Sequence, residues 1–221
     1  GDTSINPDGV LGLAPRYNSL SATNAQNIID AGGTGSDNTS VWLIVWGENT
    51  VTGIYPKGSQ AGLQQQDLGE IDAFDENNDR FRAYAELWKW KFGLHVKDWR
   101  YAVRIANIDV SDLTGQTGTQ AITAATWLNK LMIKALARIP SMGMGTATFM
   151  ASRTVKEMLS VAALDKSQNA LSFTQGVNQY GTVAPGSVAG QGTGIQGGQL
   201  QFMGVPVLTV DQILATEARV V

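Results

Sequence analysis

Between Arg82 and Val96 the chain places bulky apolar residues at alternate positions: Tyr84, Trp88, Trp90, Phe92, Leu94 and Val96. Side chains of a strand point to opposite faces in turn, so this period of two selects a strand and excludes a helix. The polar residues Arg82, Glu86, Lys89, Lys91 and His95 are assigned mostly to the opposite face or to the ends. One long, half-buried strand is expected, with a covered aromatic face worth about 2 kcal/mol per buried side chain. Such a stripe is fold machinery before it is anything else.

Around this stripe the pattern changes several times. Residues 1–40 are rich in Gly, Asn, Ser, Asp and Thr and read as loops, with one short helix expected near Ala25–Ile29. Val41–Trp46 is a continuous apolar run of strand length, turned by Gly47-Glu48-Asn49 toward a second strand at Thr50–Tyr55. Gly62–Asp79 reads as a polar, acidic excursion. From Thr119 to Ile139 the period becomes helical: Ile122, Ala125, Leu128, Leu131, Met132, Ala135, Leu136 and Ile139 form one stripe, ended by Pro140. Thr146–Ala151 reads as a short strand, followed by a helix that Ser152 can cap and whose Thr154 and Glu157 have capping-box spacing. Leu171–Thr174 reads as a strand and Gly176–Gly198 as a glycine-studded loop. Gln199–Val210 reads as a hairpin or bent strand around Gly204-Val205-Pro206. Strands, helix, strand, helix and strands in this order make an α+β protein.

Composition sets the outer bounds. With 221 residues, 43% hydrophobic and 16% charged, the chain can bury a substantial core. No run approaches the ~20 apolar residues of a membrane-spanning helix. The net charge of −3 argues against a dedicated nucleic-acid binder, and the absence of cysteine removes disulfides, thiolate metal sites and thiol nucleophiles.

Each candidate chemistry competes with a plainer reading. A catalytic triad needs a base between nucleophile and carboxylate, and the sole histidine, His95, lies three residues before Asp98 on the polar side of a strand. It reads as a surface or interface residue. Gly192-Thr193-Gly194-Ile195-Gln196-Gly197 carries the letters of a dinucleotide fingerprint, without the preceding strand and following helix that would aim a helix N-terminus at a pyrophosphate. Asp75, Asn77, Asp79 and Glu86 have the spacing of a calcium loop, but Arg80 stands where the sharp turn requires Gly. A solvated acidic loop is the favoured reading. Cationic residues interleaved with Trp88, Trp90 and Trp99 could stack nucleotides; a strand face paired with a neighbour's acidic residues is favoured instead. No cofactor and no enzymatic activity are expected.

Three stretches resemble a known family. They are Ser40–Gly47 with Gly53–Gly58, Gly93–Asp109, and Gly204–Val207 with Thr216–Val221. Together they look like the major capsid proteins of tailed bacteriophages, especially short-tailed ones, with the Hong Kong 97-like fold. That resemblance implies a peripheral domain of long strands at 41–118, an axial domain at 119–210, a loop-rich segment at 1–40 and a return segment at 211–221. Peripheral strands ahead of axial helices imply a permuted order. The N-terminal arm, extended loop and spine helix of such proteins would precede the segment resembling Gly12-Leu13, so the chain is expected to be a C-terminal fragment lacking them.

The implied function is that of a structural subunit that assembles with copies of itself, in hexamers and pentamers, into an icosahedral shell. Scaffold, portal and decoration proteins are implied partners, and packaged DNA is held only non-specifically. The implied location is the virion, after assembly in the host bacterial cytoplasm. Arg82, Glu86, Lys89, Lys91, His95, Arg100 and Arg104 are the expected subunit-interface residues. An encapsulin-like shell component is the alternative, and a metal-dependent enzyme using Asp75, Asp79 and Glu86 a more distant one.

Overall fold

The computed structural model describes residues 9–58, 62–114, 119–164, 171–174 and 199–221. In chain order the strands are β1 (Ile28–Asp30), β2 (Asn38–Trp46), β3 (Val51–Ile54), β4 (Leu63–Phe74), β5 (Arg80–Trp90), β6 (Gly93–Val96), β7 (Ala102–Asp109), β8 (Thr146–Ala151), β9 (Leu171–Thr174), β10 (Gln199–Phe202) and β11 (Val205–Thr209). The α-helices are α1 (Val110–Thr114), α2 (Thr119–Arg138) and α3 (Arg153–Leu164). Two compact units result, one of residues 16–51 and 96–221, the other of residues 1–15 and 52–95.

The first unit is built on a mixed sheet in the order β1-β7-β2-β8-β11-β10-β9. Strand β2 lies inside it, antiparallel to both β7 and β8, and it is buried from Asn38 through Val45. A strand covered on both faces reads as a continuous apolar run, which is why Val41–Val45 shows no alternation. Val41, Leu43 and Val45 face a core shared with Leu128, Leu131, Met132 and Ala135 of α2 and Val155 and Leu159 of α3. Phe149 and Phe202 meet edge-to-face within it, ring centroids 5.7 Å apart. On the other face Trp42 meets Tyr17 edge-on, also at 5.7 Å.

The sequence positions of the helices follow from their apolar spacing. In α2 the buried residues Leu128, Leu131, Met132 and Ala135 recur at three- and four-residue intervals, leaving Trp127, Lys130, Ile133 and Lys134 exposed. Ser152 Oγ accepts the Val155 amide at 3.4 Å at the start of α3, as its residue type leads one to expect. The turn from β10 to β11 consists of Met203 and Gly204, both at positive φ (49° and 82°), the geometry of a tight hairpin.

Several expectations are corrected. Ala25–Ile29 is not a helix: a single 3-10 turn at Ala25–Asn27 gives way to β1. Asn27 explains the change, since its Nδ2 donates to the carbonyls of Trp99, Arg100 and Ala102 and fastens the segment beside β7. The acidic stretch after Gly62 contains a twelve-residue strand, β4. The expected long strand from Arg82 to Val96 is two strands, β5 and β6, interrupted at Lys91 and Phe92. The expected boundary between 118 and 119 also does not divide two cores, because Val41, Val103 and Ile105 share one apolar cluster with Leu128 and Leu159. The expected loop at 176–198, with its Gly192–Gly197 letters, lies outside the described residues. Among the described residues no helix is long and apolar enough to cross a membrane.

Candidate assembly surface

The second unit carries the most unusual surface. Strands β4 and β5 form an antiparallel ribbon from Leu63↔Trp90 to Phe74↔Arg80, closed by the turn Asp75–Asp79. It is a sheet of two strands only. The remaining strands of this unit, β3 and β6, pair with each other. An isolated two-stranded ribbon is marginal in water, because neither face is covered. Here Leu63, Ile71, Phe74, Phe81, Tyr84, Leu87, Trp88 and Trp90 are all exposed, Tyr84 by 83%.

A bulge determines what shares a face. The register jumps between Asp67↔Glu86 and Gly69↔Ala85, so Leu68 has no partner. Gly69 sits at φ 69°, a conformation glycine adopts without strain, and its amide is held by Asp67 Oδ1 at 2.8 Å. One extra residue inverts the parity of β4. Before the bulge, Leu63, Gln65 and Asp67 share a face with Trp90, Trp88 and Glu86; after it, Glu70, Asp72 and Phe74 join that face opposite Tyr84, Arg82 and Arg80. Without the bulge, Glu70 and Asp72 would fall on the opposite side.

The first face therefore mixes ionic groups with exposed apolar side chains, Leu63, Trp88 and Trp90 toward its base, Tyr84 midway and Phe74 at its tip. Asp72 pairs with Arg80 and, at 3.2 Å, with Arg82; Glu70 accepts from Tyr84 at 3.0 Å and lies 3.9 Å from Arg82. Glu86 accepts from Gln65 at 2.9 Å. Four carboxylates (Asp67, Glu70, Asp72, Glu86) face two guanidiniums (Arg80, Arg82), so the face carries net charge −2. The second face holds Ile71, Ala73, Phe81, Ala83, Ala85 and Leu87, with Gln64, Gln66 and Lys89 toward its base. Arg82 and Glu86 thus share the face of Trp88 and Trp90, contrary to the expected assignment, while Lys89 is opposite. The tryptophan stripe is exposed and not half-buried.

The remaining expected interface residues divide. Lys91 and His95 are exposed near β6. Arg100 is spent locally: its Nη2 meets Asp98 Oδ2 at 2.7 Å, and Asp98 also accepts the Arg100 amide to cap the turn Trp99–Tyr101. That hydrogen bonding holds the Asp98 carboxyl below its usual range. Asp98 therefore serves Arg100 and not His95. Arg104 is only 4% exposed. It donates to Tyr17 O at 2.7 Å and Glu217 Oε2 at 2.8 Å, and stacks over Trp42 at 5.2 Å. It is an internal tie instead of an outward-facing group, and only contact with the distant Glu217 reveals this.

The candidate cation loop does not converge. Asp75 Oδ1 accepts the amides of Asn77 and Asp79, which closes the turn, while Glu86 lies seven strand positions past Asp79, roughly 20 Å away. Among the described residues no group of three metal-ligating side chains converges. The exposed stacked pair Trp90–Phe92, centroids 5.0 Å apart, marks the base of the ribbon.

A family model described as major capsid protein GP7 matches residues 1–221. Among solved structures, a chain of the near-atomic cryo-EM structure of bacteriophage epsilon15 is similar at 32% identity, with a TM-score of 0.56. That match covers 100% of this chain and 60% of the other, so the chain spans less than two thirds of its relative's length. No curated protein matches.

Proposed function

Because the chain belongs to the major capsid protein GP7 family and has the α+β, Hong Kong 97-like capsid fold, we propose that it is the assembling part of a bacteriophage shell subunit. The whole-length family match carries this reading. Three features of the chain support it. Its largest core is completed within one copy, so the subunit is a stable brick. A ribbon with both faces exposed gains cover only from something outside its own unit. Among the described residues no group of three metal-ligating side chains converges, which suits a structural role.

On this reading copies contact one another in hexamers and pentamers, each contact contributing modestly while many contacts close the shell. Scaffold, portal and decoration proteins are the further partners, and assembly takes place in the host bacterial cytoplasm before the subunit resides in the virion. The ribbon's ionic face has net charge −2 and the chain −3. A mildly acidic wall holds packaged DNA without gripping it.

Negative-stain microscopy of the full-length protein, with its scaffold, tests the reading. Shells or capsomers are expected. A protein that stays monomeric under all such conditions contradicts it.

A further inference from the structure

The two faces of the β4–β5 ribbon differ in kind, and the difference assigns them different neighbours. Building on the assembly reading above, we propose that the ribbon docks on a second copy of the chain through its apolar face, formed by Ile71, Ala73, Phe81, Ala83, Ala85 and Leu87, while the guanidinium–carboxylate face stays in water.

Charge chooses the face. On the ionic side Arg80 and Arg82 already have Asp72 and Glu70 within ion-pair distance, so moving that side into an interface would desolvate charges that water now serves. The apolar side bears one ionic group, Lys89, near its base. Its Phe81, Leu87 and Ile71 are 50%, 46% and 39% exposed; the ionic face exposes larger side chains, Phe74 and Tyr84 among them, but these stand between ion pairs that docking would desolvate. Removing these from water is favourable at about 25 cal/mol per Å². A nearly uncharged face offers nothing to a nucleic-acid backbone, so its partner is an apolar protein surface. The chain itself supplies one, since Trp127 and Ile133 are exposed on α2. A shell made of this chain presents that surface in every neighbour.

Size chooses between a lone dimer and a lattice. The eleven residues of β5 span roughly 35 Å, and two strands are about 10 Å wide, giving a face of roughly 350 Å². A stable pairwise interface covers about 800 Å² on each partner. One docked ribbon is too small to hold two copies together alone and is suited to contacts that become durable when a shell closes.

Cysteine labelling separates the faces, because the 221 residues contain no cysteine. Ala85→Cys reports on the apolar face and Glu86→Cys on the ionic face at the same distance from the tip; Ala83→Cys repeats the apolar measurement. Each is placed in the full-length protein and reacted with a maleimide as empty shells and as dissociated subunits. In shells, labelling at 85 and 83 is expected to slow about tenfold or more while 86 is nearly unchanged. Equal slowing at both faces, slowing at 86 alone, or no change on assembly overturns the face assignment and leaves the assembly reading standing. Slow labelling at 85 even in dissociated subunits means that the chain covers its own ribbon, which also overturns it. Failure of the unmodified protein to form shells removes the assembly reading itself, and the docking with it.

Discussion

Arg104 and Glu217, 113 positions apart, form an ion pair of 2.8 Å with side chains only 5% and 17% exposed. Around it, Ser40 Oγ donates to Glu217 Oε1 at 3.0 Å and Trp42 Nε1 to Ser40 Oγ at 3.1 Å. Asn107, at φ 58° in an irregular stretch of β7, exchanges hydrogen bonds of 2.8 and 2.9 Å with the backbone of Val220. The C-terminal segment is thereby stitched across the face of the sheet opposite the helices.

Removing one member of this pair strands the other. Glu217→Gln and Arg104→Met are each expected to cost about 3 kcal/mol, since a buried charge is left without its counter-ion. The double variant should cost clearly less than the sum of the two. Urea denaturation of all three variants against the parent protein checks this. A loss below 1 kcal/mol for either single change would place the pair in water.

Alkaline pH provides a second test through Tyr17. Its hydroxyl donates to Trp99 O at 2.8 Å, and burial pushes its pKa up from 10.0 to about 12. The folded state therefore holds the phenolic proton more tightly than the unfolded state. The stabilisation is complete below pH 10 and is lost as the pH rises toward 12. Stability measured from pH 8 to pH 12 should fall less steeply in Tyr17→Phe than in the parent, with the difference confined to the region above pH 10.

The ribbon separates two magnitudes. Asp72→Ala removes carboxylate contacts on a face where Arg80 and Arg82 are 63% and 68% exposed, so a cost below about 1 kcal/mol is expected. Deleting Leu68 removes only the unpaired residue, so the ladder becomes regular while Glu70 stays opposite Tyr84 and Asp72 opposite Arg82, each on its present face. Shell yield, followed by light scattering, is expected to survive both changes, and a collapse on the deletion would show that the bulge itself is needed in the shell.

Calcium should leave the Asp75–Asp79 turn indifferent. The backbone amides of Asn77 and Asp79 already occupy Asp75 Oδ1, and Glu86 stands far along β5. Isothermal calorimetry with millimolar calcium is expected to register no binding. A stoichiometric heat lost in Asp75→Asn would contradict this geometry.

How much of this was legible in the sequence depends on where each side chain finds its partner. Strand β2 and helix α2 could be read because their apolar residues meet a core formed within the same chain, and that core imposes continuous or 3.6-residue spacing. Strand β4 could not. Its Gln64, Gln65 and Gln66 carry no strand signal, and the bulge at Leu68 and Gly69 breaks the alternation that would reveal it. Strand β5 was recognised as a strand, yet counting from the tryptophans gave Arg82 and Glu86 the wrong face, since all of them occupy even positions. Arg104 looked like a surface cation because its partner lies at the other end of the chain. The family resemblance rests on motifs from β2, β3, β6, β7, β11 and the C-terminal segment, and of these β2 and β7 are buried almost throughout, which constrains their residues closely.

The central claim is that many copies of this chain tile into a shell, with each ribbon laid on a neighbour. Electron cryomicroscopy of shells assembled from the full-length protein addresses it directly, at a resolution that separates adjacent strands, about 4.8 Å. Density should show Ile71, Phe81 and Leu87 covered by another copy, with Arg82 and Glu70 open to solvent. A ribbon projecting free of every neighbour, or one seated by its ionic face, would contradict the account.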